Sequence, residues 1–210
     1  ETCASIGLML FSLRMWLLNQ NKIDYDIWEQ VLFNTVLSGM GRDGHHFFYV
    51  NPLEVVPETI KNNPSLSHVK TQRQKWFSVA CCPPNIARTL SSIPGYIFAV
   101  EGDRLLVLSH IGSSFKKGGL YVDLSRTGDK YTLTIEGDPM EVFLRLPENT
   151  KLIGSQFKMN NDGYFSIKHA GGKQEYSYNL IPQVRVLKAH PNVSNASGKL
   201  CVQRGLTTYC

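Results

Sequence analysis

Two short segments hold the residue types that can do chemistry. Glu1-Thr2-Cys3 opens the chain, and Cys81-Cys82-Pro83-Pro84-Asn85 follows some eighty residues later. Zinc favours thiolate and carboxylate ligands, usually four of them, and Glu1, Cys3, Cys81 and Cys82 would supply four donors from two distant stretches. The spacing is not that of a zinc finger or ribbon, so small cysteines buried in a helical core are the competing reading of the same residues. Disulfides fit the pattern poorly. The five cysteines, Cys3, Cys81, Cys82, Cys201 and Cys210, are odd in number and include an adjacent pair that bridges only with strained geometry.

Other polar and aromatic residues have plain explanations. Glu54 and Glu58 sit in a proline-rich stretch and read as solvated loop acids rather than as a carboxylate pair for glycoside cleavage. His45-His46 reads as a surface turn, and Trp76 beside Phe77 either stacks on a ligand or fills core. Cys201 and Cys210, in the strand-rich half, read as buried structural cysteines.

The elements that must position the two segments are legible from hydrophobic period. From Ala4 to Leu18 apolar residues wrap nearly all the way round a helix, as in a buried one. A second helix is predicted from Asp24, as N-cap, through Trp28, Val31, Leu32 and Val36, ending at Gly39 and Gly41. Residues 45–50 read as a short extended segment, followed by a loop punctuated by Pro52, Pro57 and Pro64. Ile86, Leu90 and Ile93 restore helical spacing, with Pro84 in the first turn and the end near Pro94-Gly95. Beyond that, short strand-like runs at 104–110, 119–124, 130–136, 140–146, 151–158, 163–168, 174–180 and 184–190 alternate with glycine turns, which argues a β-sandwich. The boundary is placed near residue 97.

Composition excludes several classes. The chain has 210 residues, of which 42% are hydrophobic and only 19% charged, so it is neither disordered nor low in complexity. Its net charge of +5 comes from scattered residues with no basic block longer than Lys116-Lys117, and nucleic-acid binding is not indicated. The apolar stretch from Ile6 to Leu18 is shorter than the roughly 20 residues of a membrane span, and no span is predicted. The chain starts at Glu1 without a leader pattern, which reads as a piece of a longer protein.

Five segments together resemble the second half of the catalytic domain of glycoside hydrolase family 127, the β-L-arabinofuranosidases. They are Glu1-Thr2-Cys3-Ala4-Ser5, Asn34-Thr35-Val36-Leu37-Ser38-Gly39-Met40, Phe47-Phe48-Tyr49-Val50-Asn51-Pro52-Leu53-Glu54, Gln74-Lys75-Trp76-Phe77 and Cys81-Cys82-Pro83-Pro84-Asn85-Ile86-Ala87-Arg88. Arg185-Val186, His190-Pro191 and Val202-Gln203-Arg204-Gly205 are similar to the β-sandwich that follows in that family.

The resemblance implies a multidomain α and β protein. Residues 1–96 would be the C-terminal part of an (α/α)6 catalytic barrel, and residues 97–210 an antiparallel, incomplete β-sandwich. It implies Zn2+ held by Glu1, Cys3, Cys81 and Cys82, with Cys81 as nucleophile and Tyr49 in the sugar-binding pocket. A metal-bound thiol is deprotonated at neutral pH, and the thiolate is the attacking species, so the implied roles are physically consistent. The function implied is a retaining exo-glycosidase acting on an L-arabinofuranosyl oligosaccharide or glycoconjugate. The family's acid/base glutamate would lie upstream of Glu1, so the 210-residue piece alone is expected to lack turnover. Two alternatives stand beside this: the same fold acting on another pentose-derived sugar, and a non-catalytic carbohydrate-binding or structural module with a structural zinc. Reduced thiolates and the family's usual range point to a bacterial, cytoplasmic setting, with no membrane or nucleic-acid partner and with a homodimer allowed.

Overall fold

The computed structural model describes residues 1–52 and 54–209, and the side chain of Asn195 is left aside. Leu53 of the quoted motif and Cys210 therefore lie outside the described residues. The chain divides into two compact units: residues 1–91 with 184–210, and residues 92–183.

The first unit opens with a helical hairpin, α1 (Thr2–Asn19) and α2 (Lys22–Val31), joined by a tight polar link. Gln20 ends α1 in the left-handed conformation, and the Asn21 side chain accepts from the Ile23 amide. Asn21 is thus the N-cap, in place of the expected Asp24. Asparagine caps well because its short side chain satisfies an amide that the first turn leaves unpaired. Ile6, Met9, Leu13 and Trp16 form the buried side of α1, and Trp16 meets Tyr25 of α2 edge-on at 5.8 Å.

The expectation of a helix buried on most faces is only half met. Leu8, Phe11, Leu17 and Leu18 are exposed, Leu18 at 81%. With 18 residues and a mean hydropathy of 1.3, α1 is long and apolar enough to cross a membrane by length and composition, which was not anticipated; one third of it is buried in this unit.

The second predicted helix is real but not regular. After α2 the chain makes one wide π turn (Leu32–Val36) before the short α3 (Leu37–Gly39). Thr35 Oγ1 and Ser38 Oγ bond back to the carbonyls of Val31 and Asn34, at 2.7 and 2.5 Å, which favours such local distortion. The predicted extended segment is held as a bridge: Phe47 pairs with Met40 on one side and Gln74 on the other. Two further helices follow, α4 (Pro57–Asn62) and α5 (Cys82–Ser92). Pro83 and Pro84 lie in the first turn of α5, where their missing N–H groups cost nothing.

The second unit is built from ten strands. One sheet has the order β1-β2-β6-β9-β8: β1 (Phe98–Glu101), β2 (Arg104–Val107), β6 (Met140–Arg145), β9 (Tyr164–His169) and β8 (Lys158–Met159). The other runs β3-β4-β5-β10-β7: β3 (Ser113–Lys117), β4 (Leu120–Thr127), β5 (Lys130–Gly137), β10 (Gly172–Pro182) and β7 (Thr150–Ile153). Alternate residues of both sheets, among them Leu105, Val107, Val142 and Leu144 from one and Val122, Leu124, Leu133 and Ile135 from the other, meet in one buried core. The sandwich is not wholly antiparallel as expected, because β2 and β6 pair in parallel. They can do so because they are far apart in sequence, with β3 to β5 making the long crossover between them. Gly118 and Gly119 both have positive φ, as the two-residue turn between β3 and β4 requires.

The last three strands, β11 (Val184–Lys188), β12 (Leu200–Arg204) and β13 (Thr207–Tyr209), form a separate sheet that belongs with the helical unit. Asn34, on the π turn, fastens it: its Nδ2 donates to the Leu206 carbonyl and its Oδ1 accepts from the Thr208 amide, both at 2.8 Å. Gln203 adds a bond to Gln30 at 3.0 Å. Strand periodicity identifies β11, but nothing in it tells which unit the strand joins.

Candidate metal centre

The first turn of α1 is pinned by its neighbours. Thr2 donates its amide to the Tyr49 carbonyl at 2.9 Å and its hydroxyl to the Phe48 carbonyl at 2.8 Å. The Phe48 amide in turn donates to the Gly39 carbonyl at 2.8 Å, and a Cβ on Gly39 would sit 3.5 Å from Thr2 Oγ1. Glu1 and Cys3 flank Thr2 in sequence and are thereby fixed against the 47–49 segment. Asn51 supports the same corner through Ser38 Oγ at 2.7 Å.

The start of α5 supplies the rest. Cys82 is its first residue and is fully buried, Cys81 precedes it and is half-buried, and the Asn85 amide closes the turn on the Cys81 carbonyl at 3.3 Å. The three expected sulfurs come together, and the Glu1 carboxylate approaches one of them. Cys3 Sγ lies 3.7 Å from Cys82 Sγ, Cys81 Sγ 3.9 Å from Cys82 Sγ, and Glu1 Oε1 3.8 Å from Cys81 Sγ. The three sulfurs all fall within 4.8 Å of one another and could hold a metal ion.

Electrostatics expose the tension in this arrangement. Cys81 is pushed above its ordinary value, first by its hydrogen bond with the Cys3 thiol and then by burial, with the Glu1 charge adding to it. Cys82 is pushed up further, chiefly by burial. As protein alone, then, the cluster resists ionisation: negative charges would crowd one another out of water. A bound cation inverts that logic and favours the thiolates.

Tyr49 lies beside the cluster. Burial, and then the Glu1 charge and a hydrogen bond with the Glu1 carboxylate, raise its hydroxyl above the ordinary value. Its ring packs near Phe77 at 5.8 Å and meets His68 edge-on at 6.5 Å. Glu1, Tyr49, His68, Gln74 and Trp76 line a cleft of about 860 Å³, and Trp76 is 64% exposed there rather than in a core. One residue of the second segment was quoted without a role: Asn85 Nδ2 donates to Cys3 Sγ at 3.2 Å. An amide four residues after Cys81 on a helix start was the available signal.

The other sequence candidates lie elsewhere. Glu54 pairs with Lys199, and Glu58 is exposed in the first turn of α4. His46 pairs with Asp43 at 2.5 Å in an exposed turn. Cys201 is half-buried rather than buried, its Sγ facing the Tyr209 carbonyl at 3.7 Å.

Known proteins resemble this chain over its whole length. Residues 1–95 match the family model described as β-L-arabinofuranosidase, GH127 catalytic domain. A non-reducing end β-L-arabinofuranosidase from Bifidobacterium longum subsp. longum is 30% identical over 230 aligned positions, covering 100% of this chain and 35% of that protein. The solved GH127 β-L-arabinofuranosidase from Geobacillus stearothermophilus T6 superposes with a TM-score of 0.83 at 35% identity, covering 100% of this chain and 36% of that one. A second solved GH127 β-arabinofuranosidase gives 0.78 at 29% identity, with 100% and 36% covered. The chain thus spans about a third of the length of the relatives it matches. Residues 1–95 thus resemble the GH127 catalytic domain, and the full length superposes on solved members of that family.

Proposed function

We propose that this chain carries the zinc corner and the nucleophile of a retaining β-L-arabinofuranosidase. The observation that carries the reading is the spacing of the donors. Ligands at about 2.3 Å around a tetrahedral zinc place neighbouring thiolates about 3.8 Å apart and a carboxylate oxygen about 3.6 Å from a thiolate. The sulfur pairs at 3.7 and 3.9 Å and the sulfur–oxygen pair at 3.8 Å fit. Glu1, Cys3, Cys81 and Cys82 would hold the ion, and when bound it would keep the thiols deprotonated.

The chain's own residues do the rest. Cys81 Sγ lies 3.8 Å from Glu1 Oε1, and Glu1 also lines the cleft. That Sγ forms a bond to the anomeric carbon as the glycosidic C–O bond breaks, and a carboxylic acid outside this chain protonates the leaving oxygen. Water then attacks the same carbon, the S–C bond breaks with its electrons returning to Cys81, and the acid takes the water's proton. Two displacements retain configuration. Tyr49 orients Glu1 and borders the bound sugar, and an L-arabinofuranoside is the substrate that the relatives' names suggest.

The remaining chain of the full-length protein completes the site, so the 210-residue piece alone lacks turnover. In the same reading residues 1–96 close an (α/α)6 barrel, and the sandwich begins at residue 97. The test is a rapid acid quench of the full-length protein with a β-L-arabinofuranoside, followed by peptide mass spectrometry. The expected result is one pentosyl group on the peptide bearing Cys81. A pentosyl group on a carboxylate, or turnover with no adduct on Cys81 under conditions where deglycosylation is slow, contradicts the reading.

A further inference from the structure

The three sulfurs of the cluster are not equivalent, and the difference lies in what surrounds each. Cys82 is fully buried at the start of α5. Cys3 accepts an N–H···S hydrogen bond from Asn85 Nδ2 at 3.2 Å. The contacts drawn to Cys81 are with Glu1, Cys82 and Cys3, all of them anionic or thiol groups and none an amide. Two reactive-looking sulfurs, Cys3 and Cys81, are thus both half-buried, and among the described residues only Cys3 has an amide donor aimed at it.

We propose that Asn85 is a positioning residue that makes Cys3 the inert ligand and leaves Cys81 the nucleophile. This rests on the zinc-thiolate reading above and goes beyond it by explaining why one half-buried thiolate of the set reacts. An amide N–H on a thiolate withdraws charge from sulfur, lowering its nucleophilicity, and fixes its direction as outer-shell partners fix other ligands. Helical geometry makes the bond possible. Asn85 lies one turn after Cys81, its amide bonded to the Cys81 carbonyl at 3.3 Å, so its side chain rises from the same first turn of α5 that presents both cysteines. The link therefore ties the Glu1–Cys3 segment to the Cys81–Cys82 segment as well as grading their sulfurs.

The experiment uses the full-length, zinc-loaded protein with limiting iodoacetamide, whose iodide a thiolate sulfur displaces, and reads the alkylated peptide by mass spectrometry. The wild type is expected to be labelled at Cys81, and Asn85→Ala to divide its label between Cys3 and Cys81. A chelator competition on the same variant should show zinc held about 10- to 100-fold more weakly. In the cobalt(II)-substituted protein the sulfur-to-metal charge-transfer band should move to longer wavelength in Asn85→Ala. Asn85→Asp, which cannot donate when ionised, should resemble Asn85→Ala in labelling. A wild type labelled elsewhere than Cys81 would sink the nucleophile reading. A wild type labelled at Cys81, with Asn85→Ala showing unchanged labelling, band and zinc affinity, would overturn the role of Asn85 alone.

Discussion

His110 shows how much one side chain can decide inside the sandwich. Its Nε2 lies 2.8 Å from the Arg145 carbonyl and so must carry the proton, leaving Nδ1 to accept from the Tyr178 hydroxyl at 2.8 Å. Burial holds its pKa down to about 3, against an ordinary 6.5. Below pH 6.5 the unfolded chain takes up a proton that the folded one refuses. The stability that depends on neutral His110 is therefore complete above pH 6.5 and falls by about 1.4 kcal/mol per pH unit on acidification toward pH 3. Denaturant unfolding of the sandwich at pH 7 and pH 5 should show that loss, and His110→Gln should flatten it; an equal slope in the variant would contradict the assignment. None of this was legible from the chain, where His110 ends a run of strand residues and nothing marks it as buried. Cys3, Cys81 and Cys82 stood out in the sequence as candidate ligands beside the reading of buried core cysteines, and their sulfurs lie within 4.8 Å of one another.

At the level of elements, periodicity served well where burial is one-sided. β4 and β5 alternate inside and outside residue by residue, and their positions follow from sequence. It served poorly at α1, whose apolar residues encircle the helix while only one side is covered, and at the π turn, which depends on local hydroxyl bonds rather than hydrophobic spacing. That turn carries Asn34, the clasp for the final sheet. Asn34→Ala leaves the Thr208 amide and the Leu206 carbonyl without their partner and should cost about 1–3 kcal/mol. Hydrogen exchange should be faster at residues 200–209 in the variant, while strands β4 and β5 exchange as before. Unchanged exchange at 200–209 would show that the sheet is held by other contacts.

At the scale of the whole molecule, the chain is about a third of its relatives, and the exposed side of α1 is consistent with that. Leu8, Phe11 and Leu18 form an apolar stripe at helical spacing, facing away from α2. In a barrel of helical hairpins that stripe lies against a neighbouring helix. Cysteine placed at position 11 or 18 should react slowly with a maleimide in the full-length protein and rapidly in the 210-residue piece; rapid reaction in both would argue against a barrel neighbour. The cysteine cluster belongs to the same scale, since it joins residues about eighty positions apart, and in the proposed mechanism the acid comes from outside this chain.

The most direct test of the central claim is arabinose release from a β-L-arabinofuranoside by the full-length, zinc-loaded protein under reducing conditions, beside its Cys81→Ser variant. The expected result is turnover in the wild type and a loss of roughly a thousandfold or more in the variant, with substrate binding largely kept. A folded, zinc-loaded wild type without activity, or a variant that turns over normally, would contradict it.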